Sequence, residues 1–78
     1  MNEKDLVEFI AKSLVDNTDK VKVNMIESEK STILELSVDE ADIGKIIGKR
    51  GRTAQAMRTI LGAASAKENK RTVLEIVD

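Results

Sequence analysis

Between Leu6 and Val15, apolar residues recur at spacings of three and four: Leu6, Val7, Ile10, Leu14 and Val15. That is the period of a helix with one buried stripe. Asn2, with Asp5 three residues later, forms a weak capping box at its start, and Asn17 is expected to close it in a left-handed conformation. Phe9 falls beside the stripe and is expected to flank the core. From Lys20 to Ser28 the period changes to two, with Val21, Val23 and Met25 on one side and Lys22 and Asn24 on the other. The polar segment Glu27 to Ser31 reads as a hairpin connection, without the glycine of the tightest turns. Thr32 to Val38 forms a second strand, with Leu34, Leu36 and Val38 inward.

A second, brief helix is expected from Asp39, which caps it. Glu40 and Asp42 lie at its positive end, and Ile43, Ile46 and Ile47 form its buried edge up to Gly48. A longer helix runs from about Arg52 to Lys67 with the stripe Ala56, Met57, Ile60, Leu61 and Ala64. Gly62 inside it costs roughly 1 kcal/mol relative to alanine, which suggests a close crossing. Glu68 to Arg71 breaks the pattern, and Thr72 to Val77 makes a last strand with Leu74 and Ile76 inward.

The order is helix, strand, strand, helix, helix, strand. Some thirty residues and two helices separate the second and third strands, so a parallel crossover is natural. The expected fold is α+β: a three-stranded mixed sheet with three helices on one face. No linker or repeat divides the chain, and residues 1–78 read as one domain.

Composition narrows what such a domain does. The chain has no cysteine and no histidine, and Phe9 is its only aromatic residue. Disulfides and thiolate metal sites are excluded, and the commonest general base and metal ligand are absent. No metal, cofactor or enzymatic activity is expected. Nothing near the N-terminus resembles a signal peptide and no apolar run reaches membrane-spanning length, so a cytoplasmic location without membrane contact is expected. The net charge of −1 conceals a strong asymmetry. Residues 1–43 carry five cations and eleven acids, whereas residues 44–71 carry eight cations and Glu68 alone. This distribution points to an anion-facing side and an acidic back.

All four glycines lie in that basic half, three of them within Gly44-Lys45-Ile46-Ile47-Gly48-Lys49-Arg50-Gly51-Arg52. A glycine loop with cations, opening a helix, suits a phosphate backbone. It is not a P-loop, because only three residues separate Gly44 from Gly48 and Arg50 follows Lys49. Nor is it a dinucleotide fingerprint, because a helix precedes it instead of a strand.

Ile47-Gly48-Lys49-Arg50-Gly51 between two helices resembles the Gly-x-x-Gly loop of K-homology (KH) domains, which clamps about four nucleotides. The element order is similar to the type II, prokaryotic form. The whole segment from Ile43 to Arg52, the alanine-rich helix and the run Ala66 to Arg71 resemble the small stand-alone KH proteins of bacteria, the KhpA family. The resemblance implies that Gly48 and Gly51 admit phosphates, which Lys49 and Arg50 contact. It further implies that Ile43, Ile47 and inward residues of the second strand form a groove floor. Lys45, Arg52 and Arg58 would extend the basic track, with Lys70 and Arg71 if the fold brings them near. Ala54 stands where many KH domains have a bulky aliphatic residue, and no aromatic platform is present.

The resemblance also implies a single-stranded RNA ligand and a role as RNA chaperone or post-transcriptional regulator linked to cell elongation and division. It implies pairing as well, as a homodimer or as a heterodimer with a larger KH-containing protein. The alternative is a protein–protein interaction module that keeps the fold with little RNA affinity.

Overall fold

The computed structural model describes residues 2–77; Met1 and Asp78, the two ends of the span expected as one domain, lie outside the described residues. The Asn2 side chain accepts a 2.8 Å hydrogen bond from the Asp5 N–H and starts helix α1, Glu3–Leu14. Val7, Ala11 and Val15, at successive spacings of four, form its buried line, with Leu6 and Ile10 packed alongside. Three expectations for this helix fail, the first being Leu14, which was placed on the buried stripe and is 37 % exposed. Phe9 is 62 % exposed, because it lies on the far side of the helix from Ala11. Asn17 does not close the helix in a left-handed conformation: α1 ends at Leu14, Val15 is already extended, and Asn17 has φ −97°.

Strands β1 (Lys22–Glu27), β2 (Ser31–Ser37) and β3 (Arg71–Val77) form one sheet in the order β1-β2-β3. β1 pairs antiparallel with β2, placing Met25 opposite Leu34, and β2 pairs parallel with β3, placing Leu34 opposite Leu74. The hairpin closes through the Ser28 N–H donating to the Ser31 carbonyl at 2.8 Å. Alternation decides the burial of β2: Thr32, Leu34 and Leu36 turn to the helices, and Leu34 and Leu36 are fully enclosed. β1 is an edge strand, and its inward Met25 remains partly exposed near the hairpin end. The sheet is mixed and the fold is the α+β arrangement read from the sequence.

After β2, the Asp39 carboxylate accepts from the Ala41 N–H at 2.9 Å and starts a 3₁₀ turn, Glu40–Asp42, that runs into α2, Ile43–Ile47. Ile46 is fully buried and Ile43 partly so. Ile47, expected on the buried edge, is 40 % exposed, since it sits about 100° around the helix from Ile46.

Helix α3 spans Arg52–Ala66, and the face it buries is Ala54, Met57, Leu61 and Ser65. The expected stripe held only at Met57 and Leu61, with Ala64 half-buried; Ala56 and Ile60 face solvent, Ile60 at 49 % exposure. Both stripes have helical spacing, and the docking angle of α3 chose the one containing Ala54. Gly62 marks no close crossing, because a Cβ built there meets nothing within 4 Å. Among the described residues, no helix is long and apolar enough to cross a membrane.

Candidate nucleic-acid interface

The junction between α2 and α3 is built from backbone conformations that side chains disfavour. The Gly48 N–H closes α2 by donating to the Gly44 carbonyl at 2.9 Å. Gly48 itself turns out at φ 77°, ψ 174°, in a region that is essentially glycine-only. A Cβ on Gly48 would run into the Thr53 side chain and lie 2.9 Å from the Thr53 backbone nitrogen. Lys49, Arg50 and Gly51 then form a single 3₁₀ turn, with the Gly51 N–H bonded to the Gly48 carbonyl at 3.1 Å. Arg50 and Gly51 both have positive φ, 59° and 74°. This tight turn brings Gly48, Lys49, Arg50 and Gly51 together at the start of α3. No side chain caps that start; the Arg52 N–H donates to the Lys49 carbonyl, and the positive end of the helix dipole lies beside the loop.

The cations of this region fall into two groups. Lys49, Arg50 and Arg52 are exposed and take part in no ion pair among the described residues. Lys45, expected to join the basic track, is tied down. Its ammonium lies 2.7 Å from Asp16 and 3.1 Å from Asp42. The Asp16 hydrogen bond foremost, then Asp42, raises its pKa above the ordinary lysine value, against the effect of burial. Arg58 reaches from α3 to β3, where its guanidinium donates to the Leu74 carbonyl at 3.4 Å. Lys70 pairs with Glu27 at 2.8 Å. Lys70 and Arg71 follow the other end of the 15-residue helix, about 20 Å from the loop, so they do not extend the track.

Of the apolar positions, Ile47 is exposed immediately before Gly48, while Ile43 packs partly against the core. The inward residues of β2 offer no surface for a groove floor: Leu34, Leu36 and Val38 are enclosed in the core. The arrangement thus offers one exposed aliphatic side chain, three cations unpaired among the described residues and the positive end of a helix dipole around a turn that main chain can approach closely. That combination is chemically suited to a phosphodiester backbone.

A profile described as "KhpA/KhpB, KH domain" matches residues 4–76. The chain belongs to this KH-domain family. Among its relatives, "RNA-binding protein KhpA" of Borreliella burgdorferi is 65 % identical over 77 residues, covering 99 % of this chain and 94 % of the relative. Proteins of the same name from Aquifex aeolicus and Clostridium perfringens are 59 % and 57 % identical, each over at least 95 % of both chains.

The KH architecture here has a support that sequence reasoning missed. Asp42 is 1 % exposed, and its carboxylate accepts from the Asn17 N–H at 3.0 Å, the Asn17 side-chain amide at 3.1 Å and Lys45. The Asn17 backbone bond is the largest of several contacts that lower the Asp42 pKa to about 2, although burial pushes the other way. This network fastens the chain after α1 to the base of α2, and it explains why Asn17 does not act as a helix cap. In the sequence Asp42 reads as a helix-start acid, and nothing links it to a residue 25 positions away. Thr53 was also not recognised as the residue that closes the space over Gly48; its only signal was its position two residues after the second loop glycine.

Proposed function

We propose that residues 1–78 form a single non-enzymatic domain that binds single-stranded RNA and clamps its backbone with Gly48-Lys49-Arg50-Gly51. The observation that carries this reading is the left-handed turn that sets Lys49, Arg50 and Arg52 unpaired beside the uncapped start of α3. The names of the relatives, RNA-binding proteins, support the RNA-binding part of this reading. In this reading phosphates approach Gly48 and Gly51, Lys49 and Arg50 pair with them, Arg52 extends the track, and Ile47 supplies an apolar contact for a base. Ile43 supports Ile47 from the core side. Lys45 acts chiefly through the Asp16–Asp42 network, and Arg58 lies further along α3, against the β3 edge. Affinity comes mainly from phosphates and falls steeply with salt.

By kinship with the KhpA/KhpB family, the protein acts in the cytoplasm as an RNA chaperone or post-transcriptional regulator, linked to cell elongation and division. It pairs with itself or with a larger KH-containing protein. The exposed line Ala56, Ile60 and Ala63 on α3 supports pairing, since these side chains have no cover within the chain. Two weak sites held together gain avidity without new base contacts.

Fluorescence anisotropy with a labelled single-stranded RNA tests the clamp. Wild type is expected to bind with a log–log salt slope of about −0.7 per phosphate neutralised. Lys49→Asp with Arg50→Asp, shown folded by circular dichroism, is expected to lose binding. A folded double variant that binds like wild type refutes the clamp, and wild type that binds no RNA leaves the protein-interaction reading.

A further inference from the structure

At the hairpin end of the sheet, the inner face changes from apolar to polar. Met25, Leu34 and Leu74 are cross-strand neighbours, and the next inward row is Glu27, Thr32 and Thr72. Beside this row a cavity of about 390 Å³ is lined by Asn2 and Glu3 at the start of α1, Met25, Glu27, Thr32, and Ala64 and Glu68 at the end of α3. Its volume is at the small end of ligand pockets, which run about 300–1,000 Å³. It lies at the opposite end of α3 from the glycine loop.

Two independent features give this cavity a chemistry. The first is charge: three carboxylates line it, the negative end of the α3 dipole adds to them, and the Lys70 ammonium pairs with one of them, Glu27. The second is Thr32, which is only 3 % exposed yet lines the cavity, and whose hydroxyl enters no hydrogen bond among the described residues. No fully enclosed side-chain nitrogen or oxygen there lacks a partner. The unbonded Thr32 oxygen therefore opens into the cavity, where it can accept a hydrogen bond. Glu3 is already engaged by the Thr72 hydroxyl at 2.9 Å, whereas Glu68 has no ion-pair partner among the described residues.

The ligand that matches is cationic, but it is not a metal ion. Among the described residues no three acidic groups converge closely enough to hold one. Separated carboxylates with Met25 and Ala64 between them fit an alkyl chain bearing ammonium groups, and Lys70 on Glu27 is an intramolecular example of that contact. We propose that this cavity binds linear aliphatic polyamines.

The test is a ¹⁵N-HSQC titration of the full chain, stripped of nucleic acid, with spermidine at constant ionic strength. Calorimetry gives the affinity, and sodium and magnesium chloride serve as reference titrations. Saturable shifts are expected at Glu3, Glu27, Thr32, Ala64 and Glu68, with residues 48–51 unmoved. Glu68→Gln, at an exposed position, is expected to keep the fold and weaken binding at least threefold, and Thr32→Val is expected to weaken it as well. The proposal is overturned if shifts are absent or unsaturated at millimolar spermidine, or if they spread over every acidic residue. It is equally overturned if folded Glu68→Gln binds like wild type, or if magnesium saturates the same residues more tightly.

Discussion

Arg50 holds a left-handed backbone conformation and carries a charge, and replacing it with glycine separates these two contributions. Its φ of 59° and ψ of 26° cost a residue with a side chain roughly 1–2 kcal/mol. The side chain is exposed and makes no hydrogen bond or ion pair among the described residues, so nothing in the fold offsets that strain. Glycine removes the strain but adds unfolded-state freedom worth roughly 0.5–1 kcal/mol. Arg50→Gly is therefore expected to leave stability unchanged or raise it by about 1 kcal/mol, measured by urea unfolding followed at 222 nm. Arg50→Ala keeps the strain and is expected to match wild type in stability. Both variants lose one phosphate contact, so their log–log salt slopes for single-stranded RNA become shallower by about 0.7. If Arg50→Gly destabilises the fold by more than about 1 kcal/mol, the Arg50 side chain is holding the loop and the strain argument fails. If both variants keep the wild-type slope, Arg50 is not at a phosphate.

The two loop glycines differ in a way that unfolding experiments resolve. Gly51→Ala meets no atom within 4 Å and is expected to lose the left-handed cost, roughly 1–2 kcal/mol, less the roughly 0.5–1 kcal/mol of unfolded-state freedom that alanine removes. Gly48→Ala adds a collision with Thr53 and is expected to lose roughly 3–5 kcal/mol; adding Thr53→Ala does not rescue it, because the backbone nitrogen of residue 53 remains 2.9 Å away. Acid sensitivity follows from Asp42, whose folded pKa is lowered from 3.8 to about 2. Its contribution is present above the unfolded value and is lost as pH falls from about 4 through about 2, so the thermal midpoint is expected to drop there and Asp42→Asn to flatten that limb. Lys45 has a raised pKa, so its contribution is present below 10.5 and is lost as pH rises through its higher folded value. Leu61→Ala is expected to cost about 2–5 kcal/mol in urea unfolding, and Ile60→Ala less than about 0.5 in dilute solution, because only Leu61 is enclosed.

Much of the architecture was legible because it rests on local periodicity. The alternation of Leu34 and Leu36 with Glu35 and Ser37 specified which face of β2 is buried, since adjacent side chains in a strand must point oppositely. The Asn2 and Asp39 caps act within three residues and needed no tertiary information. The loop was legible for the same reason: two glycines, two cations and a following helix are contiguous in the chain. On α3, by contrast, Ala54-Met57-Leu61-Ser65 and Ala56-Ile60 both satisfy a 3.6-residue period. Only the placement of α3 against the sheet and α2 distinguishes them.

The amino-acid sequence by itself determined the order of elements, the inward face of the central strand and the position of the glycine turn. Each depends on residues close enough to interact through the backbone. Tertiary structure alone decided which cations are left unpaired for a ligand. Lys45 and Lys49 look alike four positions apart, yet folding brings Asp16 within 2.7 Å of Lys45 and leaves Lys49 in no ion pair among the described residues. A charge becomes available or committed according to which opposite charge the fold places within a few ångströms of it, and that partner can come from any distance along the chain.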